Sequence, residues 1–197
     1  MKKLLLVICI LFSIALNAQT DFYFGPKIGY KESGFKIKKT TMPSDGSKLT
    51  FGVYGRLLFD KFVIQPELMY NYMAIDLNEG KDFVLVTISK NHSFALPIYF
   101  GYQFIHRNNF NMRANIGPVV HFNFDKCIYT EPDYELIPYL WDYNFANLGA
   151  AFSLGADIYR FTIDLGYSLG LTNVFRNENN KLRQNTLTFS VGYRFGK

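Results

Sequence analysis

Lys27, Arg56, Glu67, Arg113, Asp157, Asp164 and Arg194 are charged residues set inside otherwise apolar, alternating stretches. Their types could do three things. They could pair into salt bridges that fill a narrow lumen, line a gated polar path, or supply two carboxylates as acid and base. The last needs a nucleophile or a histidine at workable spacing. His92, His106 and His121 fall in separate segments, and Cys127 stands in a connection as a free thiol. Neither a triad nor a metal-ligand spacing forms from them. Pairing is the leading reading, because charges taken out of water must be matched. It implies no catalytic residue, no metal and no cofactor.

A second group could carry recognition. The connection from Asp125 to Asn144 is acidic and interleaved with Tyr129, Tyr134, Tyr139, Trp141 and Tyr143. The stretch Lys31 to Lys48 is basic, with Lys31, Lys36, Lys38, Lys39 and Lys48 against Glu32 and Asp45. Loops on a rigid scaffold are where binding concentrates. Two readings stand: the two loops cap the barrel by opposite charge, or Trp141 and its tyrosines meet a protein, glycan or lipopolysaccharide.

The elements that must hold these residues are strands. In Asn185 to Phe195, Leu187, Phe189, Val191, Tyr193 and Phe195 share one face, with Thr186, Thr188, Ser190, Gly192 and Arg194 on the other. That is the period of a strand with one apolar and one polar side. The same alternation recurs in Phe22 to Tyr30, Leu49 to Phe59, Phe62 to Met73, Phe83 to Phe104, Phe110 to Phe124, Phe145 to Tyr159 and Phe161 to Leu171. Short turns are expected at Asp60-Lys61, at Ile105 to Asn109 and at Arg160, and long loops elsewhere, including Ala74 to Asp82 and Thr172 to Gln184. Long and short connections alternate, which suits an even-stranded barrel with short turns on one side of a membrane.

The chain start supplies the address. Lys2 and Lys3 precede an apolar run from Leu4 to Leu16, and Leu16-Asn17-Ala18 ends it with a small residue. This reads as a signal peptide over residues 1–18, leaving a barrel domain over 19–197. Its loss takes 21 basic residues to 19 against 16 acidic, a charge of +3 that does not point to nucleic acid. Cys127 would then be alone, so no internal disulfide is available. The expected fold is all-β: an eight-stranded antiparallel up-and-down transmembrane β-barrel after a cleaved signal peptide. A soluble lipocalin-like barrel would need polar outer faces, against Phe161, Leu165, Phe189 and Tyr193. Glycines are expected to face the crowded interior, with Gly55 outward, and bulges or kinks are expected at Pro26, Pro66, Pro97 and Pro118. Counting from the turns puts Arg56 opposite Gln65 and Arg194 beside Asp164.

Gln65-Pro66-Glu67-Leu68-Met69-Tyr70, Leu96-Pro97-Ile98, Asn115-Ile116-Gly117-Pro118, Leu169-Gly170-Leu171-Thr172-Asn173 and Gly192-Tyr193-Arg194-Phe195 together resemble the Bacteroidota outer-membrane β-barrel family that includes PorT-like proteins. The resemblance covers essentially the whole mature chain. It implies a bacterial outer-membrane location, surrounding lipid and lipopolysaccharide, and a PorT-like role in secretion as one option. It also implies that Tyr193 and Phe195 form the signal read by the barrel-assembly machinery. The functional expectation is a non-enzymatic barrel, plugged by internal salt bridges, whose external loops serve interaction or envelope integrity. A small channel for polar solutes and a lipid A-modifying enzyme are the alternatives.

Overall fold

A computed structural model describes residues 20–37, 40–43, 48–77, 87–107, 109–124, 128–129, 144–172 and 183–196. Eight long strands carry the fold: β1 Thr20–Ile37, β2 Lys48–Phe59, β3 Phe62–Leu77, β4 Thr87–Arg107, β5 Phe110–Asn123, β6 Ala146–Ile158, β7 Phe161–Gly170 and β8 Arg183–Tyr193. Each pairs antiparallel with its neighbour in the chain. β8 then pairs with β1, from Lys27↔Gly192 up to Lys36↔Arg183, and closes the barrel. Phe195–Gly196 continues that seam against Tyr23 and Phe24. Closure leaves no free sheet edge around the barrel wall.

Alternation decides which side chains fill it. Phe22, Phe24, Ile28, Phe51, Val53, Leu154, Leu165 and Phe189 are each about half exposed on the outer wall. Arg56, Arg113, Gln65, Thr162 and Asp157 are almost completely buried inside. The molecule is apolar outside and polar within, the reverse of a soluble barrel. Met69, Ala95, Val119 and Ala151, with Tyr99 against them, form the one buried apolar cluster among the described residues.

The turns fix register locally. Phe59↔Phe62 and Ile158↔Phe161 close two-residue hairpins, and Asp60 and Tyr159 adopt φ of 54° to make them. Such turns favour positive φ because their twist matches that of the strands.

Several expected limits move. β1 runs on to Ile37, so Lys31 belongs to a strand rather than to a loop. Ala74–Leu77 extends β3 and pairs with Thr87–Lys90, and His92 lies within an unbroken β4. Ile128–Tyr129 pairs with Ile88 and Ser89 inside what reads as the longest loop. β4 also continues to Arg107, which shortens the turn before β5.

The prolines produce no bulges. Pro26 sits in register between Gly25↔Tyr54 and Lys27↔Gly52, and Pro118 pairs with Ala150 without a shift. Register is equally constant on both sides of Pro66 and Pro97. Proline's fixed φ is compatible with an extended chain, and it removes one donor toward one neighbour only, so the ladder survives. The register shift in this region falls instead between Gln103 and Ile105.

Candidate functional site

Six strands send polar side chains to one level of the lumen. Lys27 Nζ on β1 lies 2.5 Å from Glu67 Oε1 on β3 and 2.8 Å from Asp164 Oδ2 on β7. Arg113 on β5 pairs with Asp164 Oδ1 through Nη2, and its Nη1 is 2.7 Å from Asp157 Oδ1 on β6. Asp157 Oδ2 in turn accepts from Arg56 Nη1 on β2 at 2.8 Å. Arg56 Nε donates to Gln65 Oε1 at 2.7 Å, and Gln65 Nε2 donates to Glu67 Oε1 at 2.6 Å. The path returns to its start. Three cations and three carboxylates alternate around a closed, neutral ring, with Gln65 as its one neutral link.

The ring needs neighbours that the charged residues alone do not reveal. Thr162 Oγ1 accepts from Arg113 Nη2 at 2.8 Å and from Arg56 Nη2 at 3.3 Å. The Tyr54 ring lies 5.3 Å from the Arg56 guanidinium and 5.7 Å from Lys27 Nζ, within cation–π range. A Cβ at Gly155 would fall on the Arg113 guanidinium, so that glycine makes room for the arginine to cross. Tyr54 and Thr162 each stand two residues from a ring member on the same strand. That i, i+2 placement on the inward face is the signal that could have found them.

Of the predicted charged set, six residues meet in the ring and Arg194 stands apart. Asp164 pairs across the ladder with Ser190, so Arg194 is not beside it. Arg194 caps the turn end of the barrel. Its Nη2 donates to the Tyr159 carbonyl at 2.9 Å, its guanidinium stacks on Tyr23 at 4.5 Å, and Nη1 comes to 3.6 Å of Asp157 Oδ2. Arg56 does meet Gln65, as counting from the two-residue turn predicts.

What the ring can do follows from its geometry. Every ring carboxylate is already shared among donors, a state that holds strands together. The histidines are elsewhere: His92 is bonded to Tyr70 Oη, His106 Nδ1 is 2.6 Å from Gln103 Nε2, and His121 borders a cavity above the ring. Among the described residues no group of three or more His, Cys, Asp or Glu could hold a metal ion. That cavity measures about 60 Å³, with Lys31, His121 and several hydroxyls in its wall.

Of the residues read as loop contacts, Tyr129 is placed by its backbone in the short pair with β4. Tyr134, Tyr139, Trp141 and Tyr143 lie outside the described residues, as does the expected signal peptide. Tyr193 and Phe195 are described. Their rings meet at 4.9 Å, Tyr193 also packs on Phe161 at 5.5 Å and Phe195 on Phe24 at 5.7 Å, an aromatic seam where the barrel closes.

An apolar outer wall around a charged lumen, in a closed antiparallel barrel of eight strands, defines a transmembrane barrel of the outer-membrane type. The chain belongs to the outer membrane protein beta-barrel domain family, matched over residues 17–176. No curated protein matches it. Solved structures match it at low identity. Ail, the attachment invasion locus protein of Yersinia pestis, in complex with the heparin analogue sucrose octasulfate, is 14% identical, with 89% of this chain and 99% of that chain covered and a TM-score of 0.45. Neisserial surface protein A is 8% identical, with 88% and 97% covered and a TM-score of 0.46. The outer membrane enzyme PagL is 12% identical, with 82% and 97% covered and a TM-score of 0.44. The protein is an integral barrel of the bacterial outer membrane.

Proposed function

We propose that this is a plugged, non-enzymatic barrel whose work is done by its external loops. The observation that carries the reading is the closed ring from Glu67 through Lys27, Asp164, Arg113, Asp157 and Arg56 back to Glu67. An eight-stranded barrel is only wide enough for its side chains to fill, and cross-linked charges leave little path for a solute. The functional surface is then the outside, where Trp141 and the tyrosines at 129, 134, 139 and 143 would meet a protein, glycan or lipopolysaccharide. Export on a signal peptide over residues 1–18, and assembly through Tyr193 and Phe195 by the barrel-assembly machinery, complete the proposal. Within the Bacteroidota a PorT-like part in secretion is the specific form it would take.

Planar-bilayer recordings test the plug. The native barrel is expected to show no unitary conductance, whereas R113A opens steps. Reproducible steps in the native protein would replace this reading with a small channel for polar solutes. A deletion strain tests the loops and the chemistry together. An unchanged lipid A mass profile with altered surface binding or secretion fits the proposal, and an altered profile turns it toward a lipid-modifying enzyme.

A further inference from the structure

The charges of the lumen do not cancel above the ring. Lys31 enters the barrel on β1, two inward positions above Lys27 with Gly29 between them, and Asn71 Oδ1, a neutral amide acceptor, lies 2.8 Å from its Nζ. Among the described residues no carboxylate is ion-paired with it. Glu67 and Asp164, which floor the same cavity, are spent on Lys27, and Asp164 on Arg113 as well. A cation held inside a protein wall without a counter-charge is costly, and the low dielectric that makes it costly also strengthens its pull on an anion. The wall also carries donors, beside the apolar Met69, Ala95, Val119 and Ala151. Thr50, Ser168 and Thr188 present hydroxyls, and His121 presents an imidazole. The volume of about 60 Å³ admits a small polyatomic ion or a few waters.

We propose that this cavity binds a small free oxyanion, phosphate or a short carboxylate, between Lys31 and His121, seated on the Thr188 and Ser168 hydroxyls. The barrel wall separates the cavity from lipid headgroups, so the anion comes from solution. The site is independent of whether the lumen conducts and of what the loops bind.

The test uses the folded, full-length barrel in nonionic detergent and titrates sodium phosphate, then sodium acetate, by calorimetry at constant ionic strength set with sodium chloride. Saturable binding of about one phosphate per barrel is expected. K31Q should weaken it about tenfold or more, the worth of one charge-assisted bond. T188V should weaken it several-fold. K61Q, at the exposed turn after β2, should leave it unchanged. Absence of saturable binding of either anion overturns the proposal. So does K31Q binding as the native protein does, or K61Q weakening binding as much as K31Q. Where K31Q fails to fold, H121Q and T188V decide: native affinity in both overturns the site, and loss in both supports it.

Discussion

At the scale of single residues, Asp157 is the hinge of the charge ring. Its two oxygens hold Arg113 at 2.7 Å and Arg56 at 2.8 Å, and all three side chains are at most 2% exposed. Removing one partner from such a group strands the others, and buried charges left without a partner cost about 3–5 kcal/mol. D157A leaves two guanidinium groups facing each other across the lumen, so it is expected to destabilise the barrel by about that amount. R194A also removes a contact to Asp157, but one of 3.6 Å from a side chain that is 17% exposed at the rim. Its cost should be about 1 kcal/mol or less, as for exposed pairs. Urea unfolding in lipid vesicles, followed by the mobility difference between folded and unfolded barrels on gels, measures both. Equal losses for the two variants would mean that the ring does not act as a unit.

At the scale of the strands, glycine marks where two backbones come too close for a side chain. A Cβ on Gly52 would fall on the Leu68 carbonyl of β3, and one on Gly117 would fall on the Ile98 carbonyl of β4. Backbone cannot swing aside as a side-chain tip can, so G52A and G117A should each cost about 1–3 kcal/mol or block folding. Gly55 faces outward, and its nearest atoms would be Phe22 at 3.8 Å and Pro66 at 4.0 Å. G55A should be neutral or gain roughly 0.5–1 kcal/mol, since alanine gives up less chain entropy. Urea midpoints of the three variants, compared in one detergent, decide the matter.

The same strands explain what could be read in advance. Leu187 to Phe195 announces its faces because lipid demands apolar side chains on one side, and the side facing the lumen carries small or polar ones. Beyond the bilayer that demand ends, and so does the signal. Lys31–Ile37 and Ala74–Leu77 therefore read as loop although they pair as strand. Counting succeeds for Arg56 and Gln65 because a two-residue turn leaves the register no slack. It fails for Arg194 because β7 and β8 are joined by a long connection, and their offset is set by closure of the whole barrel. The other neighbours of the ring were silent for another reason: Thr162 and Tyr54 are uncharged, and their importance lies in what crosses the lumen to reach them.

At the scale of the molecule, stability has to come from the closed sheet and its fit to the membrane. Under the proposed removal of residues 1–18, Cys127 would be the one cysteine left and would have no pair to bridge. The outer wall then carries a depth-dependent constraint that no soluble protein has. Leu165 is outward at the middle of its strand, paired with Leu154 on one side and Phe189 on the other, and half exposed. Phe62 is just as apolar and 65% exposed, but it is the first residue after the Asp60-Lys61 turn and so lies at the interface. An arginine on the lipid face costs about 2–4 kcal/mol at the bilayer midplane and about 0–1 kcal/mol near the interface. L165R should therefore destabilise the vesicle-embedded barrel by several times as much as F62R. In detergent micelles, which deform around a charge, the gap should narrow. Reversible guanidinium unfolding of both variants in vesicles and in micelles reads the difference directly. Equal costs in vesicles would put Leu165 near a headgroup, and the depth assigned to the whole barrel would have to shift with it.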